Sequence, residues 1–170
     1  HITCAKKIIR SIRVTLIGIL NQINLICPHV GTCKQMTVLP VGVPVVSVTQ
    51  HIVSESVTEG NTARAMGSGT LPVYATPAMT CLMERAAAEL LEPLLPEDWT
   101  TVGISLQVQH KAPTPVGAVV RAEAEVIAVD GRKVTFSVRA FDDREEIGSG
   151  QHERFAVQSE KFLGKAMAKR

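Results

Sequence analysis

The segment from Ala75 to Leu91 is written as a sharply two-faced helix, and four runs of strand character follow it. That order limits the folds open to the chain more than any other feature. Thr76 reads as the helix N-cap and Pro77 as its first helical residue, where a missing N–H costs nothing. Met79, Leu82, Met83, Ala86 and Leu90 fall on one apolar stripe, while Arg85, Glu89 and Glu92 gather on the far side. Glu84 belongs to neither group. At about 100° per residue it lies on the flank, one turn below Thr80 and two below Thr76, beside the small residues Ala87 and Ala88. A carboxylate there borders the buried seam. Taken alone it reads first as a solvated boundary residue and second as a reactive acid.

The β-branched run from Val43 to Val53 predicts a first strand ahead of the helix. A Gly- and Ser-containing loop around Gly67 to Gly69 leads into the helix, and Pro93 and Pro96 stop it. Strands are then predicted over Thr101 to Ala112, Ala118 to Val129, Arg132 to Phe141 and Ile147 to Gln158. Asp130-Gly131 is a hairpin signal between the second and third of these, and Ser159 reads as the cap of a short closing helix carrying Phe162 and Leu163. One strand, one helix and a four-strand meander predict an α+β domain, a curved antiparallel β-sheet wrapped around a central helix. The order β-α-β-β-β-β is that of a hot-dog fold, and pattern alone leaves other α+β sheets open.

At 170 residues, 45% hydrophobic and 20% charged, the chain suffices for one domain with a sizeable core. Residues 1–35 read differently from the rest: four basic residues precede a short apolar run, Val14 to Leu20, too short to span a bilayer. They are expected to be an upstream or expression-derived extension outside the fold, with a weak signal segment as the alternative, and residues 36–170 to be the domain. A net charge of +2 with no basic stripe gives nucleic-acid binding no support. Cys4, Cys27, Cys33 and Cys81 lack metal-ligand spacing, which predicts no metal site, no disulfide framework and a reducing, cytoplasmic setting.

His110 continues the series Val102, Ile104, Leu106 and Val108, so its ring is expected on the face of the core side chains. By itself it reads as a core-edge histidine; with Glu84 on the packed helix, the two can divide base and acid roles near neutral pH. On the last strand, alternation places His152 and Arg154 on one face. A charged surface strand and an arginine anchoring an acidic group are equally good readings of that face. Lys111 to Gly117, with Pro113 and Pro115, is a structural turn, and Cys81 has no neighbouring base to activate it. No P-loop, GxGxxG, HExxH, GxSxG or CxxC pattern is present.

Thr76-Pro77 with Leu82-Met83-Glu84, then Val102-Gly103, His110 to Gly117, Val129-Asp130-Gly131-Arg132, Ile147-Gly148-Ser149-Gly150 and His152-Glu153-Arg154 together resemble the hot-dog thioesterases related to fluoroacetyl-CoA thioesterase. The resemblance runs from about Met36 to the C-terminus. It implies a catalytic set of Thr76, Glu84 and His110, with Gly103 and Arg154 completing the acyl site. It implies a homodimer with acyl-CoA bound near the subunit interface, CoA entering as part of the substrate, and no cofactor. The segment Arg64 to Ala75 holds Gly67, Gly69, Thr70 and Tyr74 but no Phe. The phenylalanines that close the pocket of the fluoroacetyl-specific enzyme are therefore missing, which points to a broader or different short acyl-CoA. Hydrolysis of such a thioester is the expected function. A non-catalytic acyl-CoA or small-acid binding module on the same fold is the alternative. A hot-dog hydratase would want an Asp and a His close together on one loop, and the chain has no such pair.

Overall fold

The computed structural model describes residues 49–170 and, before them, the backbone of a two-strand pair, β1 (Val38–Leu39) with β2 (Val43–Pro44). The expected boundary between residues 35 and 36 lies outside the described residues, as do residues 45–48 of the expected first strand. The described part of that strand is β3 (Gln50–Ser56), which runs three residues beyond the β-branched stretch. Backbone pairing carries it on: Ser54, Glu55 and Ser56 stay in register with Arg121, Val120 and Val119. Side-chain type does not decide where such a ladder ends.

The helix follows as α1 (Thr76–Leu91), and then come β4 (Trp99–His110), β5 (Val119–Asp130), β6 (Lys133–Phe141), β7 (Glu146–Gln158) and α2 (Ser159–Met167). Five strands form one antiparallel sheet in the order β3-β5-β6-β7-β4. The hairpin between β5 and β6 turns at Gly131, whose φ of +56° suits the glycine of the Asp-Gly pair. This is the curled sheet around one helix that the element order predicts, a hot-dog fold.

One face of α1 is the core. Met79, Leu82, Met83, Ala86 and Leu90 are all buried, as their spacing predicts, and Ala78, Ala87 and Leu91 join them. They pack on Val120, Ala122 and Ala124 of β5 and on Val134, Phe136, Val138 and Ala140 of β6. Every second residue of those strands points inward, the period-2 alternation of a sheet with one covered face. Each of the larger side chains on this seam contributes ~1.5–3 kcal/mol through burial. The alanines of β5 let the helix lie close to the sheet. At β7 the approach is closer still, because a side chain at Gly148 would collide with the sulfur of Met79.

Three local expectations are corrected. α1 begins one residue earlier than expected, with Ala75 as N-cap and Thr76 already helical. No side chain caps the start, because the N-cap position is held by Ala75, and the Thr76 hydroxyl bonds His110 instead. The single alternation expected along β4 is broken by a bulge: Gly103 pairs with Arg154 and Ser105 with Glu153, so Ile104 is the extra residue. Before the bulge Thr101 and Gly103 face the helix; after it Leu106, Val108 and His110 do. Val102 and Ile104 turn to the outer face, where Ile104 is 52% exposed. Finally, Ser159 is the first residue of α2 and makes no cap hydrogen bond, and Phe162 and Leu163 stay exposed.

Candidate active site

The bulge in β4 and the start of α1 build two clusters of polar side chains on the helix side of the sheet. At the N-terminal end of α1, the Thr76 hydroxyl lies 2.8 Å from Nδ1 of His110, the last residue of β4. Thr76 is exposed and His110 half-buried, and both line a cavity of about 320 Å³ with Ala63, Val73, Tyr74 and Ala112. Nε2 of His110 is buried and has no hydrogen-bond partner among the described residues. Burial holds the His110 pKa below the ordinary histidine value, partly offset by the Ala112 backbone. The ring is therefore neutral at pH 7, with one nitrogen bonded to Thr76 and the other buried without a partner among the described residues.

Two turns further along α1, Glu84 meets Gly103 on β4 and His152 and Arg154 on β7. A side chain at position 103 would have to push Glu84 aside: a Cβ there would run into Oε1 of Glu84 and lie 3.1 Å from Cε1 of His152. His152 is buried and its Nδ1 donates to the Ser105 carbonyl at 2.8 Å, which leaves Nε2 as an acceptor. Arg154 donates from Nη1 to that nitrogen at 3.3 Å, from Nε to the Thr101 hydroxyl at 2.9 Å and from Nη2 to the Thr101 carbonyl at 2.9 Å. Desolvation pushes the His152 pKa down, helped by the Arg154 charge, against an upward pull from the hydrogen bond to the Ser105 backbone and smaller ones from Glu84 and Glu153. The 3.7 Å approach of His152 Nε2 to Glu84 Oε1 is thus a contact with a neutral ring and no ion pair. Arg154, buried and charged, is the cation whose field reaches Glu84. The carboxylate itself keeps 43% of its surface exposed, free to act on a ligand.

The structure therefore brings together Thr76 with His110, and separately Glu84 with Gly103 and Arg154. Within one chain the two groups stand apart, since eight residues of helix between Thr76 and Glu84 span about 12 Å. Of the two readings of the last strand, the charged surface is overturned: His152 and Arg154 are at 1% and 8% exposure, under the flank of α1. His152 is the residue that sequence reasoning missed as part of the site. Its signal was the shared parity with Arg154, which sends both side chains to one face of β7.

A curled five-strand sheet around one helix is a hot-dog fold, and polar groups gather on the helix flank, with a glycine beneath the carboxylate and a hydroxyl–imidazole pair at the helix start. The model of the fluoroacetyl-CoA-specific thioesterase family matches residues 57–160, and the chain belongs to that family. A curated relative, the fluoroacetyl-CoA thioesterase of Streptantibioticus cattleyicolor, is 40% identical over 97 residues, covering 57% of this chain and 70% of the relative. A variant of the fluoroacetyl-CoA-specific thioesterase solved with fluoroacetate and CoA is 34% identical, with a TM-score of 0.66 over 69% of this chain and 97% of its own. A Thermus thermophilus protein described as a thioesterase superfamily member is 27% identical, with a TM-score of 0.68 over 75% of this chain and 96% of its own.

Proposed function

We propose that the protein hydrolyses a short acyl-CoA thioester to the free acid and CoA, with Thr76, Glu84 and His110 as the reacting set. The observation that carries this is the Thr76–His110 pair, 2.8 Å apart in a small cavity with the second imidazole nitrogen left unpaired. Family membership supports the thioester as substrate. When the Thr76 hydroxyl donates to Nδ1, the neutral ring carries its proton on Nε2, from which it can hydrogen-bond the departing sulfur. Glu84 takes a proton from the attacking water as the water oxygen bonds to the carbonyl carbon. The C–S bond breaks with the electron pair on sulfur, and the proton passes from Glu84 to the thiolate, directly or through solvent, restoring the carboxylate. First-turn N–H groups of α1, which no side chain caps, are the donors available to the oxyanion. His152, locked as an acceptor, and Thr101 fix the Arg154 guanidinium, which holds charge near Glu84 without taking part in proton transfer.

The same reading includes a homodimer, in which a second copy brings its Glu84 to the Thr76–His110 pair of the first. β4 forms one edge of the described five-strand sheet. Antiparallel pairing of β4 with its copy, centred between Leu106 and Gln107, sets His110 opposite the partner's Gly103. A two-fold axis through that point and near Thr80 of α1 also exchanges Thr76 with Glu84, four residues to either side. One operation thus matches both clusters, as an isologous interface requires. A reducing, cytoplasmic setting belongs to this reading too. Cys81 is exposed and unbridged, and no helix among the described residues is long and apolar enough to cross a membrane.

Free-thiol release from a panel of short acyl-CoAs tests the proposal. Turnover of at least one small acyl-CoA is expected, and fluoroacetyl-CoA is not expected to stand out, given the absence of Phe from residues 64–75. With His110 shifted below its ordinary value, kcat/KM should hold as pH falls to about 6.5 and decline only below it. No turnover of any thioester by folded protein contradicts the proposal.

A further inference from the structure

On the outer face of the sheet, opposite α1, lies a groove of about 520 Å³ that the acyl site does not use. The bulge creates it by turning Val102 and Ile104 outward, and α2 forms its wall. Its composition is unusual for this chain. The protein has one Trp, one Tyr and four Phe, and Trp99, Phe155 and Phe162 all line this groove. Arg132, Lys161 and Lys165 line it as well, and no Asp or Glu does. None of these three cations has an ion pair among the described residues. Asp98 accepts a hydrogen bond from Gln158 at the groove's end and is not part of the lining.

The charges are placed at a local cost. Lys161 sits in the first turn of α2, where the helix dipole disfavours a cation, and forms a repulsive i,i+4 pair with Lys165, which the dipole favours in the last turn. α2 buries none of its residues, so packing does not dictate those lysines. Local rules broken without a structural return mark a functional surface. The guanidinium of Arg132 already lies 4.7 Å over the Phe155 ring, so its other face is available to a second flat ring.

We propose that this groove binds a ligand made of a flat heteroaromatic ring and a phosphate, the chemistry of a purine nucleotide. The ring stacks among Phe155, Arg132 and Phe162, and the phosphate meets Lys161 and Lys165. The groove's volume falls in the range of small-molecule sites. A second copy of this chain is a poor occupant, since two-fold packing through the groove would set its cations against their own images. Two sources supply the chemistry, a free nucleotide and the nucleotide end of CoA. The sheet stands between the groove and Glu84, so the two sites can be varied separately.

Titration calorimetry on the full chain tests this with adenosine 3′,5′-bisphosphate, CoA and inorganic phosphate. The wild type and Glu84→Gln are expected to bind the bisphosphate equally, one per chain. Lys161→Glu/Lys165→Glu should weaken it at least about tenfold, and Phe162→Ala severalfold; all three side chains are exposed, so both variants keep the fold. A CoA heat component lost in the double-lysine variant names CoA as the source, while bisphosphate binding without that component names a free nucleotide. No bisphosphate binding, binding undiminished in both variants, or inorganic phosphate bound as tightly as the bisphosphate would overturn the proposal.

Discussion

Glu84→Gln is expected to lower thiol release from the preferred acyl-CoA by roughly 10²–10⁴-fold, the range for removing a positioned general base. Glutamine keeps the shape of the side chain and removes the charge and the proton-accepting oxygen. The surroundings of Glu84 make this an informative change. Its neighbours are a neutral His152 and an Arg154 that donates to Thr101 and His152, and no hydrogen bond among the described residues involves the carboxylate. With 43% of the side chain in solvent, the substitution should leave the melting temperature within a few degrees of wild type. Loss of turnover in a protein that melts normally assigns the effect to chemistry. A variant that keeps wild-type kcat would remove Glu84 from the reacting set.

Gly103→Ala is the second large effect, and it works through geometry. The added methyl must displace Glu84 Oε1, because its other close neighbour, the His152 ring at 3.1 Å, is buried and pinned by the Ser105 carbonyl. The half-exposed carboxylate gives way outward, a cheap motion for stability and a costly one for alignment. A shift on the order of 1 Å at a reacting group costs about 10²-fold in rate. Gly103→Ala is therefore expected to lose about that much in kcat with little change in thermal stability. Steady-state kinetics beside a melting curve check it, and wild-type kcat would mean that Glu84 needs no such close seating on β4.

The helix, the order of elements along the chain and the antiparallel β5-β6-β7 run were legible in the sequence because burial enforces periodicity. The expected four-strand meander was not borne out, since β4 pairs with β7 at the sheet edge and β5 with β3. The apolar stripe from Met79 to Leu90 has one face to cover, and β5 and β6 alternate against it. The β4 bulge was not legible. Val102, Ile104, Leu106 and Val108 read as one continuous alternation, and nothing in their side chains signals that the pleat slips at Ile104. That slip carries Gly103 to Glu84 while leaving His110 on the same side as Leu106 and Val108. Thr76 was legible as a special residue and misjudged in role. Its hydroxyl had two suitors, a helix-start N–H and a histidine 34 residues away, and local capping was the only one visible without tertiary structure. His152 was passed over because a strand reading His-Glu-Arg-Phe suggests solvent, and burial of a histidine–arginine pair depends on partners in β4 that the local sequence does not reveal.

The most direct test of two half-sites completed by a second copy is complementation between chains. Glu84→Gln chains and His110→Ala chains, each inactive alone, are unfolded, mixed in equal amounts and refolded, with mixed dimers verified by distinguishable tags. Each mixed dimer then holds one intact site and one doubly broken one, and random pairing makes half of the dimers mixed, so about a quarter of wild-type thiol release should return. Mixed dimers no more active than the separate variants would contradict a site shared between subunits and return all three residues to a single chain.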